Sequence, residues 1–317
     1  MTLISIVIPM RNCQRTIKPA LVSILAQKDV DLEIIVVDDG STDQSATCVR
    51  EVTDPRVRMV PGPCRGIAAA LNRGLQEVKG DYFCRCDADD LFSPNRFAWQ
   101  KQWLQEHPEF GAICGAYVTV DEDLKPVADH VWKPQPAEVT QDLRSGRGST
   151  HLGTFMVRME LVKQLGSFRD YFIGTEDVDF VLRLGEITRV WYDPRPVYIY
   201  RLHAASITHT QAQAQRRFLE KMAHEFQRQR LTRGSDDLQL GTAPPPPTDL
   251  DPAGTQVNAR IQDLLIGAAW REHREGRRFL ALKTGFRAAL MKPTSGRIWK
   301  SVLALVVKPA GQAPSES

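Results

Sequence analysis

Hydrophobic and polar positions follow two different periods along the first 85 residues. Short apolar runs of about four residues have the length and composition of buried strands. They lie at 5–8, 34–37, 57–60 and 81–84. Between them, apolar residues recur at helical spacing, with every third or fourth position on one face. These residues are Ile17, Leu21, Ile24 and Leu25 in one segment and Ile67, Leu71, Leu75 and Val78 in another.

Strand and helix alternate in this half with short connections, which is typical of βαβ units. The pattern predicts an α/β protein with a Rossmann-like, mostly parallel sheet flanked by helices. Ligands of such sheets bind beyond the carboxyl ends of the strands. The residues that follow each strand are therefore the first candidates for a functional site.

The second half is less regular, and four consecutive prolines at 244–247 indicate an extended linker. Before the linker we expect a helix at 94–107, a strand at 112–120, elements at 152–157, 176–185 and 195–201, and a helix at 210–232. Beyond it we expect helices near 257–274, 277–290 and 295–306. The predicted organisation is a large α/β domain at 1–235, a linker at 236–255 and a basic helical appendage at 256–317.

The composition is that of a soluble globular protein, with 317 residues of which 42% are hydrophobic. No apolar run approaches the roughly 18 residues that span a bilayer, and the N-terminus lacks the basic region and cleavage site of a signal peptide. Six cysteines without a C-x-x-C pair suit reduced thiols. We therefore expect a cytoplasmic location.

Charge is uneven along the chain. The net charge is +3, yet residues 256–317 hold 11 Lys and Arg against 4 Asp and Glu. Such a basic segment can contact anionic lipid or nucleic acid, or can simply be a solvated helix surface. Its last predicted helix is apolar, basic and too short to span a membrane, so it either packs on its neighbours or lies on a membrane surface.

Acidic residues gather after two strands, as Asp38-Asp39 and as Asp87, Asp89 and Asp90. One cluster could be turn chemistry, but two at neighbouring strand ends would bring like charges together. A divalent cation with a hydroxyl-rich ligand would relieve that repulsion, because Mg²⁺ and Mn²⁺ prefer oxygen ligands. In an extended chain Asp87 and Asp89 share one side, whereas Asp90 is expected to point away and brace the next loop.

A third acidic site, Glu176-Asp177, opens an apparent helix that Thr175 could cap. Acids in the first turn also suit the helix dipole, so this site alone does not distinguish structure from chemistry. Cys84 and Cys86 come directly before the second cluster. We interpret them as residues that pack in the core rather than as metal ligands, because hard cations prefer oxygen.

Six segments stand in the order and form typical of family-2 glycosyltransferases with the GT-A fold. They are SIVIPMRN (5–12), EIIVVDDGSTD (33–43), GIAAALNRGL (66–75), GDYFCRCDADDLFSPNRF (80–97), GTEDVDFVLRL (174–184) and YRLHAASIT (200–208). Over roughly residues 3–210 the chain resembles bacterial-type, inverting members of that family, whose D-x-D acids bind a metal ion. The short acidic motifs are weak alone, and their order makes the resemblance specific.

The resemblance implies a nucleotide pocket and a metal site. The implied nucleotide pocket would be lined by Pro9, Asn12, Asp38 and Asp39. Asp89 would bind Mn²⁺ or Mg²⁺ directly, with Asp87 near the ribose or the metal. His203 would face the metal or the diphosphate.

The resemblance also implies residues that act on the acceptor and a residue that binds the diphosphate. Asp177 would act as the general base on the acceptor hydroxyl, and Glu176 would position the acceptor or Asp177. Arg201 would neutralise phosphate. The implied reaction is a single displacement with inversion, from a nucleotide-diphosphate sugar to a hydroxyl acceptor, in the synthesis of a cell-surface polysaccharide or glycoconjugate. A UDP-sugar is the expected donor, with GDP- and dTDP-sugars as further possibilities.

Two other functions remain open at this point. A non-catalytic nucleotide-sugar-binding module would bind a donor without turnover, although it would have no need of both Asp89 and Asp177. A sugar nucleotidyltransferase shares the architecture but needs a Gly-rich first loop, which IPMRNCQ lacks. The expected acceptor is a saccharide, a lipid-linked sugar or another hydroxyl compound, and no nucleic acid partner is expected. Peripheral contact with the inner face of the membrane through 295–308 is a further hypothesis.

Overall fold

The computed structural model of the chain describes residues 2–148, 150–203, 213–247 and 257–308. The described residues form two compact units. The first holds 2–117, 130–200 and 213–247. The second holds 118–129, 201–203 and 257–308. The prediction of a linker at 236–255 stays a prediction, and its positions 248–255 lie outside the described residues, as do positions 204–208 of the last family-like segment.

Ten strands in the described residues form one sheet, in the order β3-β2-β1-β4-β9-β6-β10-β5, with β7 beside β6 and β8 beside β10. They are β1 (Leu3–Met10), β2 (Asp31–Asp38), β3 (Val57–Pro61), β4 (Tyr82–Arg85), β5 (Leu91–Phe92), β6 (Phe110–Val120), β7 (Pro126–His130), β8 (Ala137–Glu138), β9 (Met156–Arg158) and β10 (Arg189–Arg201). β1 is parallel to both β2 and β4, and β2 is parallel to β3. β9 is antiparallel to β4 and to β6.

The parallel strands are buried on both faces, as expected for βαβ units. Alternate residues face two separate cores: Ile6 and Ile34 belong to one, and Val7 and Ile35 to the other. Helices cover both faces. The first core receives side chains from α1 (Ile17–Leu25), α2 (Ser45–Arg50) and α4 (Arg96–Glu106), and the second from α3 (Ile67–Leu75), α5 (Thr140–Arg144), α6 (Met159–Leu165) and α7 (Glu176–Ile187). The predicted α/β class is thereby confirmed.

The last helix of the first unit is α8 (Gln213–Arg233). The chain after it stays with this unit over the described part of the proline-rich segment. Asp236 is fully buried and accepts hydrogen bonds from Arg169 and Arg230. The Tyr171 hydroxyl donates to the carbonyl of Pro244 at 2.7 Å. Residues 236–247 are therefore anchored rather than free.

The second unit contains three helices among its described residues, α9 (Val257–Arg274), α10 (Arg278–Met291) and α11 (Gly296–Val307). All three lie within one or two residues of their predicted positions. The Gln262 side-chain amide ties α9 to α10 through the Ala288 carbonyl at 2.9 Å. In the part of the chain that the structure describes, no helix is both long enough and apolar enough to cross a membrane.

Candidate active site

The carboxyl end of β2 carries Asp38 and Asp39, and both accept hydrogen bonds from backbone amides. Buried Asp39 accepts from the N–H groups of Cys64 at 2.6 Å and Gly66 at 2.8 Å. Asp38 accepts from the N–H of Ser41 at 3.0 Å. A Cβ on Gly62 would lie 2.8 Å from an Asp39 oxygen, so only glycine allows this close approach. Asp38 and Asp39 therefore hold the loops beside β1 in place.

The turn after β1 is held by the same loop. The Asn12 side-chain oxygen accepts a hydrogen bond from the N–H of Thr42 at 2.8 Å. The backbone N–H of Asn12 donates to Ser41 Oγ at 3.1 Å. Asn12 has a φ of 55°, which asparagine tolerates better than most residues. Pro9 is buried within β1, opposite Val37 of β2. Their predicted roles in nucleotide binding stay predictions.

The carboxyl end of β4 contains a buried arginine. Arg85 is 4% exposed, and it donates from Nε to Asp87 Oδ1 at 2.7 Å and from Nη1 to Glu176 Oε1 at 2.9 Å. Burial disfavours its charge, but the carboxylates of Asp87, Glu176 and Asp177 outweigh that effect and hold the pKa of Arg85 well above its usual range. One cation therefore joins the second acidic cluster to the third.

Glu176 is the most perturbed acid of this group. Burial raises its pKa from 4.5 to about 7, Arg85 opposes the shift, and the neighbouring charge of Asp177 adds to it. Its second oxygen, Oε2, is buried and has no hydrogen-bond partner among the described residues. A buried carboxylate with a shifted pKa and an unsatisfied oxygen is typical of functional sites.

The start of α7 is fixed by a second set of ion pairs. Asp179 is fully buried and accepts from Arg183 Nε at 2.9 Å and from Arg169. Arg183 also donates to the carbonyls of Leu165 and Ser167. Glu176 and Asp179 are three residues apart and lie on one side of the helix. Thr175 precedes the helix as predicted, but its side chain makes no capping hydrogen bond.

Asp90 corrects one expectation from the sequence. The sequence predicts that its carboxylate points away from Asp87. In the structure Asp90 is buried, and single ligand atoms of Asp87, Asp90 and His151 all lie within 4.8 Å of one another. The reason is local, because β4 ends at Arg85 and the following turn, closed by Asp90 N–H donating to the carbonyl of Asp87, replaces the extended geometry.

These three residues form a group that could hold a metal ion, but the tautomer of His151 limits its part. The N–H of Gly153 donates to His151 Nδ1 at 3.1 Å, so Nδ1 offers its lone pair there. Burial lowers the pKa of His151 although Asp87 and Asp177 oppose the shift, which favours the neutral ring. The proton then lies on Nε2, 3.9 Å from Asp87 Oδ2. The oxygens of the two aspartates are therefore the better cation ligands.

Aromatic rings surround His151. Its ring stacks on Tyr198 with centroids 5.0 Å apart, and Tyr117 and Tyr200 lie at 5.9 and 5.5 Å. The Tyr198 hydroxyl accepts a hydrogen bond from the N–H of Asp87 at 3.1 Å. His151 is thus held beside the end of β4 by its neighbours.

The turn that follows His151 is held by Arg96, which is fully buried in α4. Its guanidinium donates to the carbonyls of Gly153 at 2.5 Å, Thr154 at 3.0 Å and Phe155 at 3.2 Å. The same side chain contacts the carbonyl of Val197 at 3.4 Å. The backbone that follows His151 is therefore held by an arginine from another element.

The other predicted residues have the following places. Asp89 and Asp177 are half-buried, and the charges of both act on His151. Arg201 ends β10 and is 8% exposed, and His203 is half-buried two residues later. Both of these belong to the second unit. The roles of all four stay predictions.

Two residues of the site were missed from the sequence. Arg85 stands inside an apolar run, FCRC, and its partner Glu176 is 91 positions away. His151 lies in a segment that carries no recognisable motif. Cys84 and Cys86, by contrast, are fully buried in the core as predicted.

A family model for glycosyl transferase family 2 matches residues 5–166, which is just over half of the chain. The chain belongs to glycosyl transferase family 2. This confirms the resemblance seen in the sequence. The match ends before α7, so the placement of Glu176 and Asp177 beside Arg85 is information that the structure adds.

Similar family-2 proteins occur in several bacteria. An uncharacterized glycosyltransferase of Rickettsia typhi is 29% identical over 66% of this chain and 66% of its own length. The putative glycosyltransferase EpsE of Bacillus subtilis is 28% identical over 58% of this chain and 66% of its own. Chondroitin synthase of Pasteurella multocida is 28% identical over 63% of this chain but only 21% of its own length. The match thus spans just under two thirds of the first two relatives and about a fifth of the third.

Solved structures of S. aureus TarS have the same fold. The TarS fragment 1–349 in complex with UDP-GlcNAc aligns with a TM-score of 0.61 at 16% identity, covering 96% of this chain and 84% of that chain. The fragment in complex with UDP aligns with a TM-score of 0.59. The GT-A fold of this family-2 chain, with C-terminal helices, is thereby shown.

Proposed function

We propose that this family-2 glycosyltransferase transfers a sugar from a nucleotide-diphosphate sugar to a hydroxyl acceptor with inversion of configuration. The observation that carries the proposal is the buried Arg85, which joins Asp87 after β4 to Glu176 at the start of α7. This supports the proposal because the resemblance assigns Asp87 to the donor side and Glu176 to the acceptor side. A UDP-sugar is the proposed donor, and the UDP-GlcNAc complex of a protein of the same fold supports it.

Asp177 is the proposed general base. Glu176 is 2% exposed and bound to Arg85, whereas Asp177 is only half-buried, so an acceptor hydroxyl can reach Asp177 more easily. Asp177 would take the hydroxyl proton while the acceptor oxygen bonds to the anomeric carbon. The bond between that carbon and the diphosphate oxygen breaks in the same step, so the nucleoside diphosphate leaves and the configuration inverts.

The residues of this site fit a divalent cation. Asp87 and Asp90 offer carboxylate oxygens within 4.8 Å of each other, which suits a hard ion. Asp89 and His203 are further ligands implied by the resemblance. Bound Mn²⁺ or Mg²⁺ would offset the charge of the departing diphosphate. His151 would keep its Nε2 proton directed toward the acids rather than act as a metal ligand.

The biological role is also part of the proposal. Relatives include a chondroitin synthase and a hyaluronan synthase of Pasteurella multocida, which supports polysaccharide or glycoconjugate synthesis. The acceptor would be a saccharide, a lipid-linked sugar or another hydroxyl compound. A cytoplasmic location with peripheral contact at the inner face of the membrane through 295–308 would bring the enzyme to a lipid-linked acceptor.

The test is a screen of UDP-, GDP- and dTDP-sugars with Mn²⁺, measuring release of the nucleoside diphosphate. We expect turnover with a UDP-sugar, reduced by about 10² to 10⁴-fold in Asp177→Asn because the general base is lost. Asp89→Ala should lose metal-dependent turnover. Asp123→Asn is the matched control, since Asp123 is exposed and pairs with Lys125 on the surface.

Three results would count against the proposal. Tight binding of a nucleotide sugar with no turnover on any acceptor would favour a binding module. Release of pyrophosphate from a nucleoside triphosphate and a sugar 1-phosphate would favour a nucleotidyltransferase. Equal activity of the wild type and Asp177→Asn would remove Asp177 from the mechanism.

A further inference from the structure

Helices α10 and α11 pack closely along one side of each. Ala281, Gly285 and Ala288 of α10 are buried, as are Val302 and Leu305 of α11. A Cβ on Gly285 would lie 3.1 Å from Leu305 Cδ1, so the small residue allows the close contact. Ile298, Val302 and Leu305 of α11 are thus used for packing, as one interpretation of the sequence predicts.

The solvent-exposed side of α10 carries large apolar side chains. Phe279, Phe286 and Leu290 are 85%, 45% and 69% exposed. They follow the spacing i, i+7 and i+11, with exposed Lys283 between them, and so lie along one side of the helix. Among the described residues of the unit, these three side chains are exposed rather than used for internal packing.

Helix α11 also exposes apolar side chains. Leu303, Val306 and Val307 are 62%, 51% and 79% exposed. Trp299 precedes Leu303 by one turn, and its ring lies 6.0 Å from that of Phe286. At the other end of the pair, Arg278 Nη2 donates to the Lys308 carbonyl at 3.2 Å. We call the six residues Phe279, Phe286, Leu290, Leu303, Val306 and Val307 the apolar face.

The surroundings of the apolar face are basic. Residues 257–308 hold 11 Lys and Arg against 3 Asp and Glu. Lys283 of α10 and Lys300 of α11 are exposed beside the apolar face. Neither has an acidic partner among the described residues. Long lysine side chains can keep their charge in water while apolar neighbours are covered.

We propose that the apolar face of α10 and α11 docks onto an anionic membrane surface, with both helices lying in the plane of the interface. Apolar and aromatic residues interspersed with lysine are typical of such helices. Helices of 14 and 12 residues are about 20 Å long, too short to span the roughly 30 Å hydrocarbon core. A second copy of the chain fits less well, because pairing the two faces would bring like charges together.

The inference extends the sequence hypothesis, which placed the contact in 295–308 alone, by adding three residues of α10. It does not depend on the identity of the sugar donor. It can therefore be tested without turnover.

The test is co-sedimentation of the full chain with vesicles of phosphatidylcholine alone or mixed with phosphatidylglycerol. We expect binding to the anionic vesicles only, weakened by salt. The variant Phe279→Ser/Leu290→Ser/Leu303→Ser/Val307→Ser should bind about tenfold more weakly or worse. All four positions are more than half exposed, so the fold should survive, as an unchanged melting temperature would show.

Two further variants separate the contributions. Val22→Ser/Leu231→Ser removes exposed apolar residues from the first unit, 58% and 50% exposed, and should bind vesicles as the wild type does. Lys283→Gln/Lys300→Gln should weaken binding by roughly fivefold per lysine removed. Equal binding by the four-residue variant and the wild type would overturn the proposal. So would a dimer of the wild type, seen by analytical ultracentrifugation without lipid, that this variant dissociates.

Discussion

The two acidic strand ends look alike in the sequence and differ in how their charges are balanced. After β2, Asp39 is buried against the N–H groups of Cys64 and Gly66. After β4, Asp87 is bound by the guanidinium of Arg85, which also binds Glu176. The first cluster is satisfied by the backbone, and in the second a buried arginine balances the charge of Asp87.

This difference separates two uses of a carboxylate. Backbone amides hold Asp39 in its loop, where its role in nucleotide binding stays a prediction. A buried arginine shared by two acids leaves oxygens available, and Glu176 Oε2 has no partner among the described residues. We therefore expect Asp39 to control loop stability and the Arg85 cluster to control both stability and chemistry.

The largest effect is expected from Arg85→Met. Removing the cation leaves Glu176 and Asp87 near each other without compensation, which typically lowers the free energy of unfolding by about 3–5 kcal/mol. Urea unfolding measures the loss. Arg65→Met is the matched control, because Arg65 and Asp170 form a pair whose side chains are 69% and 49% exposed, and such a pair contributes about 1 kcal/mol or less. Similar losses in the two variants would contradict a special role for Arg85.

Asp39→Ala should have the next largest effect. It removes the acceptor of two backbone N–H groups, and hydrogen bonds to a charged group contribute about 1.5–3 kcal/mol each, so we expect a loss of about 3 kcal/mol. Thermal and urea unfolding report it. Asp123→Ala, at an exposed position, should change stability by less than about 0.5 kcal/mol. If Asp39→Ala melts like the wild type, its carboxylate does not hold the loop.

The smallest of the three effects is a pH dependence carried by Glu176. Its pKa is 4.5 when unfolded and about 7 when folded, so between these values the folded state binds more protons. The stability that this group contributes is complete below pH 4.5 and is lost as pH rises through 7. Between pH 5 and pH 7 the wild type should lose about 2 kcal/mol more than Glu176→Gln. Parallel stability curves for the two proteins would rule out a raised pKa.

Most of the fold could be predicted because its signals are local. The period of apolar residues located β1 to β4 and the helices between them, and the order of strand and helix predicted their parallel pairing. The antiparallel partners of β4 and β6 were not foreseen, since β9 has only three residues and too short a pattern. The segment 121–150, for which no element was predicted, holds β7, β8 and α5.

The candidate site was predicted only in part, for a similar reason. Asp87, Asp89, Glu176 and Asp177 stand out because acids after strands or at a helix start are visible in sequence. Arg85 does not stand out, because its meaning depends on a partner 91 residues away. Asp90 was placed on the wrong side because the strand rule was applied beyond the end of the strand, and His151 becomes visible only once β10 brings Tyr198 beside it.

Arg96 has a consequence for redesigning the surroundings of His151. One side chain holds the carbonyls of residues 153, 154, 155 and 197, so the backbone behind His151 is fixed from α4. An engineer could vary positions around His151 and keep the same framework, provided that position 96 stays arginine. A lysine there could not reach four carbonyls with one planar group. In a library of random variants, positions around His151 would then tolerate substitution and position 96 would not. These positions lie in contact although they are more than 50 residues apart in the chain.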